Sequence, residues 1–172
     1  MAIRETKATD RAAILDLHAD TFGEEGPSIA QLVGELLDHP SAKPLLSLAA
    51  EQNNAIIGHV LFTPVRIDGE PSNGYIMAPL AVTGTQQKQG VGTRLIEAGL
   101  RQLAERDIGF VLVLGDPNYY SRIGFTAERG IKAPYPLEHP DAWMALELSD
   151  GALGGQSGTA NCAAPLMQPE YW

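Results

Sequence analysis

Cysteine is nearly absent from this chain. Cys162 stands alone among 172 residues, so an intramolecular disulfide is impossible and a reducing cytosol is the expected compartment. No His or Arg neighbours it in sequence, so the thiol is expected to fill space rather than attack a substrate. Basic residues are scarce as well: Lys and Arg total 12 against 21 Asp and Glu, a formal net charge of −9. That balance argues against nucleic-acid binding, which needs cationic surface to neutralise phosphates. It suits a cationic acceptor such as an amine, although plain solubility is the commoner cause of acidity. Long apolar runs are missing, and Met1–Glu5 lacks the apolar core of a secretion signal, so neither membrane insertion nor export is expected. No Cys, His or carboxylate cluster has metal-ligand spacing, and no metal is expected. There is no internal repeat or long linker, and a 44% apolar content suits one compact domain over residues 1–172.

Against that background the stretch Gln87-Lys88-Gln89-Gly90-Val91-Gly92 is the most informative feature present. It lies between an apolar run, Tyr75–Val82, and a segment with helical spacing, Val91–Arg106. Two glycines at such a turn let the backbone approach a ligand closely, and the helix start offers unpaired N–H groups with a positive dipole end. A phosphate or pyrophosphate site is the expectation, with Lys88 and Arg94 adding positive charge and Thr93 in the first turn. A dinucleotide fingerprint would place a third glycine where Leu95 stands, and a P-loop would place Lys after Gly90, where Val91 stands. The pattern left is Q-x-x-G-x-G. A second block follows: the unbroken apolar run Ile108–Leu114 reads as a buried central strand. It leads into Gly115-Asp116-Pro117-Asn118-Tyr119-Tyr120, then Gly124-Phe125, with Asp116 as helix cap and Pro117 in the first turn.

These two blocks, in this order, resemble the acyl-CoA signature of the GCN5-related N-acetyltransferases (GNAT superfamily). With Ile57–Val65, Ala78–Val82 and Met144–Leu148 the chain is similar to the YhbS-like branch, over nearly its whole length. The resemblance implies acetyl-CoA as cosubstrate, with the amides of residues 87–93 holding its pyrophosphate. It implies a wedge beside Pro79, where freed backbone groups of Leu80, Ala81 and Val82 pair with the pantetheine arm, and it lets Asn118 hydrogen-bond that arm. Tyr120 then sits near the sulfur as general acid. The implied reaction is acetyl transfer to an amine of a small molecule or peptide by direct attack through a tetrahedral intermediate. A non-catalytic CoA-binding module is the alternative, and O-acylation or another acyl donor stays open. The base is left open among Glu24, Glu25, His18, His59 or a water chain, and Arg122 is divided between CoA phosphates and a surface carboxylate.

Read in order, the chain predicts a strand at Ala2–Lys7, a helix Arg11–Thr21 capped by Thr9-Asp10, and a helix Ile29–Leu37 capped by Ser28. Strands follow at Leu45–Glu51 and Ala55–Ile67 about a turn at Gln52–Asn54, then Gly74–Val82 after the turn Asp68–Glu70. The apolar stripe Val91, Leu95, Ile96, Gly99, Leu100, Leu103 marks a helix over Val91–Arg106, with Gly109 as its stop. Gly151–Gly158 reads as a loop between the last two strands. The fold class expected is α/β (α+β): a mixed, mostly antiparallel central sheet with helices on both faces and a strand–helix–strand core. The acceptor is expected to be shaped by Gly23–Pro40 and the loops near Asp68 and Glu138. Tyr171 and Trp172 are expected to pack on the domain, with a homodimer contact as the alternative.

Overall fold

Apolar residues concentrated between Leu46 and Val82 build three neighbouring antiparallel strands. The structure, a computed structural model describing residues 1–172, places β1 at Ala2–Glu5, β2 at Leu46–Gln52, β3 at Ala55–Ile67 and β4 at Glu70–Val82. Asn53 and Asn54 join β2 to β3 with φ of 52° and 63°, the left-handed pair that a two-residue hairpin turn demands. Asp68 and Gly69 repeat the device (51° and 79°), so β4 starts at Glu70 rather than at Gly74.

Helix α1 covers Arg11–Thr21 as the pattern predicts. Its cap differs: the Asp10 carboxylate turns back to accept from the Lys7 N–H at 2.7 Å and from Arg4 at 2.8 and 3.0 Å. Helix α2 runs Gly26–Asp38, starting before the expected Ile29. Pro27 is tolerated in a first turn, so Ser28 falls inside the helix instead of capping it. Helix α3 is Val91–Glu105, and the left-handed residue after it is Asp107, at φ 62°. Gly109 is not the stop; its N–H donates to the Asn73 carbonyl at 2.8 Å, leading into β5, Phe110–Leu114. The short α4, Pro117–Tyr120, is capped as expected, Asp116 accepting from the Asn118 N–H at 2.9 Å. Strands β6 (Thr126–Ala127), β7 (Ile131–Lys132), β8 (Trp143–Glu147) and β9 (Gly158–Asn161) complete the chain, with the glycine-rich loop between β8 and β9.

The sheet order is β1-β2-β3-β4-β5-β8-β6, with β9 on the outer half of β3 and β7 beside β9. Pairings are antiparallel except β4 with β5 and β7 with β9. Side chains alternate along β3: Val60 and Phe62 face α3, whereas Leu61 and Val65 belong to the core under α1 and α2. The stripe read on α3 is buried throughout, with Ala98 added. The ring of Phe62 lies against Gly99, where any Cβ would collide with it.

One irregularity positions everything that follows. Strands β4 and β5 pair only from Gly74 to Ile76, opposite Phe110 to Leu112, and then diverge. In β4 the pairs Phe62–Met77 and Val60–Leu80 leave Ala78 and Pro79 opposite Leu61 alone, a bulge at the proline that cannot donate to the ladder. Beyond it the Thr83 N–H donates to the Ile57 carbonyl at 2.8 Å and sets the phase. Antiparallel alternation then sends the backbone groups of Ala81 to His59 on β3, and turns those of Leu80 and Val82 into the gap.

Candidate active site

The gap opens onto the start of α3. Gly90 holds φ 85°, a left-handed conformation that a side chain would strain, and no side chain caps the helix behind it. The first turn carries no acidic residue. The orphan N–H groups that open any helix are therefore left for an external acceptor. They belong here to Val91, Gly92 and Thr93, which line a cavity of 250 Å³ together with Leu80, Val82, Gln87, Lys88 and Tyr119. Lys88 is its one charged wall residue. Gln87 ties the loop to the sheet, its Nε2 donating to the Val82 carbonyl at 2.9 Å.

Of the residues singled out in the sequence, Leu80, Val82, Gln87, Lys88, Gly90, Val91, Gly92 and Thr93 thus converge on one cleft. Four expectations do not. The backbone of Ala81 is spent on β3. Gln89 is exposed and donates to the Thr85 carbonyl at 3.2 Å. Arg94 sits on the exposed side of α3, outside the cleft wall, and Asn118 is exposed and lines neither this cavity nor the next. Tyr119, to which the sequence assigned no role, joins them: its hydroxyl meets Thr93 Oγ1 at 3.2 Å. The signal available was its place beside Tyr120.

A larger cavity, 640 Å³, adjoins the first, and Leu80 lines both. Its walls come from three places: Phe22 to Leu32 around the start of α2, Met77 to Leu80 with Val113 and Leu114 of the splayed strands, and Leu166, Glu170 and Tyr171. Tyr120 faces it, its ring edge-on to Tyr119 (centroids 5.0 Å apart) and to Phe125 (5.6 Å). Burial, helped by Tyr119 and the Asp116 carboxylate, pushes the Tyr120 phenol well above its ordinary value, so it keeps its proton throughout the neutral range. Glu24 and Glu25 line the same cavity.

The C-terminal segment corrects the expected acceptor wall. The loops at Asp68 and Glu138 lie outside it, whereas residues 166–171 contribute to it. Trp172 anchors that segment: its Nε1 donates to the Leu166 carbonyl at 2.9 Å and its ring packs on Trp143 at 5.7 Å. The Tyr171 hydroxyl donates to the Ser28 carbonyl at 3.4 Å. Both aromatics therefore pack on the domain, and Tyr171 also forms wall.

The two candidate histidines are bound to each other. His18 and His59 are fully buried, His18 Nε2 lies 2.8 Å from His59 Nδ1, and His59 Nε2 lies 2.8 Å from Ser47 Oγ. Ser47 Oγ also takes the Thr6 hydroxyl at 2.7 Å. Burial pushes His18 down to about 4 and His59 down to about 3, so both are neutral at pH 7. Neither lines the large cavity, although Phe22, which does, stacks on His18 at 6.0 Å. Among the candidate bases, Glu24 and Glu25 are the ones facing it. Arg122 is exposed and lines neither cavity. Burial raises the Cys162 thiol to about 12, as a space-filling cysteine requires.

Residues 11–130, which take in the splay, the glycine loop and Tyr120, match the family model described as the acetyltransferase (GNAT) family. The chain belongs to that family. The uncharacterized N-acetyltransferase YjhQ of Escherichia coli (strain K12) is 37% identical over 167 residues, covering 93% of this chain and 91% of that protein. Among solved structures, GNAT-family YhbS of Escherichia coli in complex with CoA superposes with a TM-score of 0.90 at 30% identity, over 97% of this chain and 92% of that one. A GNAT-family acetyltransferase from Brucella melitensis in complex with acetyl-CoA gives 0.80 at 26% identity, over 96% and 97%. The YhbS-like resemblance read from the motifs is thereby borne out, and so is the GNAT fold class.

Proposed function

We propose that this GNAT-family protein is an N-acyltransferase that moves acetyl from acetyl-CoA to a primary amine. The observation that carries the reading is the divergence of β4 from β5 after Ile76, which ends at the uncapped start of α3. The residues present fit the carrier: orphan N–H groups without a competing carboxylate suit a diphosphate, and an exposed strand edge suits the amides of a pantetheine arm. Acetyl-CoA supplies a thioester, whose carbonyl carbon is the electrophile and whose sulfur departs.

The chain's own residues do the rest. The N–H groups of residues 91–93 hold the diphosphate, with Lys88 adding charge. Leu80 presents its backbone N–H and C=O to the arm and Val82 its N–H, the Val82 carbonyl being taken by Gln87, and an N–H in that gap polarises the thioester carbonyl as negative charge develops on its oxygen. Tyr120, protonated throughout the neutral range, gives its proton to the departing sulfur and regains one from solvent. The amine must arrive neutral; its surplus proton passes to Glu24, Glu25 or water. The N–C bond forms first, the C–S bond breaks as the carbonyl re-forms, and the N-substituted acetamide and CoA thiol result.

Calorimetry with acetyl-CoA, beside NAD and ATP as controls, tests the carrier; thiol release with a panel of amines tests the transfer. Saturable binding of acetyl-CoA alone and amine-dependent thiol release are expected. Binding without release for any amine would instead favour a CoA-binding module, and no heat with acetyl-CoA would end the reading.

A further inference from the structure

The two cavities that share Leu80 carry opposite charge. The glycine-loop cleft has Lys88 as its one ionic wall residue, whereas the larger cavity has Glu24, Glu25 and Glu170 and no Lys, Arg or His. Those three glutamates are exposed and come from two segments: two precede α2 and one lies on the C-terminal segment. Between them most of the lining side chains are hydrocarbon or aromatic, with Phe22, Leu32, Met77, Val113, Leu114 and Leu166 among them. Apart from backbone, the polar groups inside are Ser28, Tyr120 and Tyr171, and Tyr171 is already engaged with Ser28.

We infer that the acceptor is an apolar primary amine, an ammonium on a hydrocarbon or aromatic body without a carboxylate, and that Glu170 selects for it. This rests on the acetyl-transfer reading above and names its second substrate. With Ser28, Tyr120 and Tyr171 as its polar side chains inside the glutamate rim, the cavity offers the many hydroxyls of a sugar few side-chain partners, which is costly once they are desolvated. The same walls reward a body of methylenes or a ring. Three carboxylates at the mouth raise the local concentration of cations and repel anions, so an amino acid is disfavoured against the amine of identical body. Exposed charges act mostly through this field, which salt screens, so each one has a small effect that ionic strength modulates.

The test compares 2-phenylethylamine, phenylalanine and ethanolamine by kcat/KM at fixed acetyl-CoA. The same three amines are titrated calorimetrically into the CoA complex, which gives the ranking even where turnover is slow. Phenylethylamine should exceed ethanolamine by about tenfold or more, given roughly fourfold per buried methylene, and phenylalanine by about threefold or more through repulsion of its carboxylate. Glu170→Gln should raise KM for phenylethylamine by about threefold with kcat unchanged, narrow the discrimination against phenylalanine, and flatten the rise of KM with salt. A merely structural role for Glu170 would not move the salt dependence. Equal or better use of ethanolamine or phenylalanine overturns the inference, as does a salt response that survives Glu170→Gln unchanged. Failure of acetyl-CoA to bind would remove the underlying reading as well; sound acetyl-CoA binding with a flat amine ranking removes only the acceptor class.

Discussion

The two cavities meeting at Leu80 are built in different ways. The glycine-loop cleft is a backbone site: one stretch, residues 86–93, supplies most of it, and the groups that matter are main-chain N–H donors at the start of α3. The larger cavity is a side-chain site, assembled from segments as far apart as Phe22 and Tyr171. A backbone site depends on chain conformation, so few sequences satisfy it and its motif is short and local. A side-chain site depends on which surfaces the fold brings together, and many sequences can line it. The contrast explains how one half of the molecule can carry a family signature while the other half sets an individual preference.

Substitutions should separate the halves. The largest effect is expected where they join: Tyr120→Phe should lower kcat by about 10²-fold. Its acetyl-CoA affinity, measured by calorimetry, should stay nearly unchanged, because the diphosphate cleft is untouched. Unaltered turnover would take Tyr120 out of the chemistry. Next comes Gly90→Val, which forces a β-branched residue into φ 85° at a strain of about 1–2 kcal/mol. The loop should relieve that strain by moving, weakening acetyl-CoA about tenfold while the ranking among amines is preserved. Retained affinity in a folded variant would mean the loop does not hold the carrier. Glu170→Gln is the mirror experiment, with its few-fold effect confined to the amine.

A last prediction concerns stability, not activity, and rests on the buried histidine pair. His18 and His59 are held at about 4 and about 3, below the ordinary histidine value near 6.5. As pH falls, the unfolded chain therefore takes up protons before the folded one does. The stability tied to this pair is complete above about 6.5 and is lost progressively as pH drops through 4 and 3. Asp10, held down to about 2 by Arg4 and the Lys7 N–H, adds a second loss below its ordinary value near 4. Urea midpoints from pH 7 to 4.5 should fall for the natural chain and fall less steeply for His59→Gln. Identical slopes would show that the pair does not titrate on unfolding.

Legibility in the sequence follows the same division. Helix α1, the stripe on α3, the Asn53-Asn54 turn and the Asp116 cap were readable because each is fixed by residues a few positions apart. The loop Gln87–Thr93 was readable for the same reason, and Pro79 signalled the bulge through its missing donor. Boundaries slipped where local signals competed, as at Ser28, overruled by Pro27 in the first turn of α2. Asn118 and Arg94 are exposed and line neither cavity, since a motif gives spacing but not which way a side chain turns. The wall at Leu166–Tyr171 and the chain from Thr6 through Ser47 and His59 to His18 left no local trace. Each exists only through contacts such as Tyr171 with Ser28, which join opposite ends of the chain.

The seat of Phe62 in the notch at Gly99 has a mechanical consequence. It works as a key in a slot: α3 can neither slide along the sheet nor roll on it without driving a ring into backbone. The donors at the tip of that helix are therefore held in register before any carrier arrives. Binding need not pay to organise them, and the affinity they give should survive changes in the distant, softer wall.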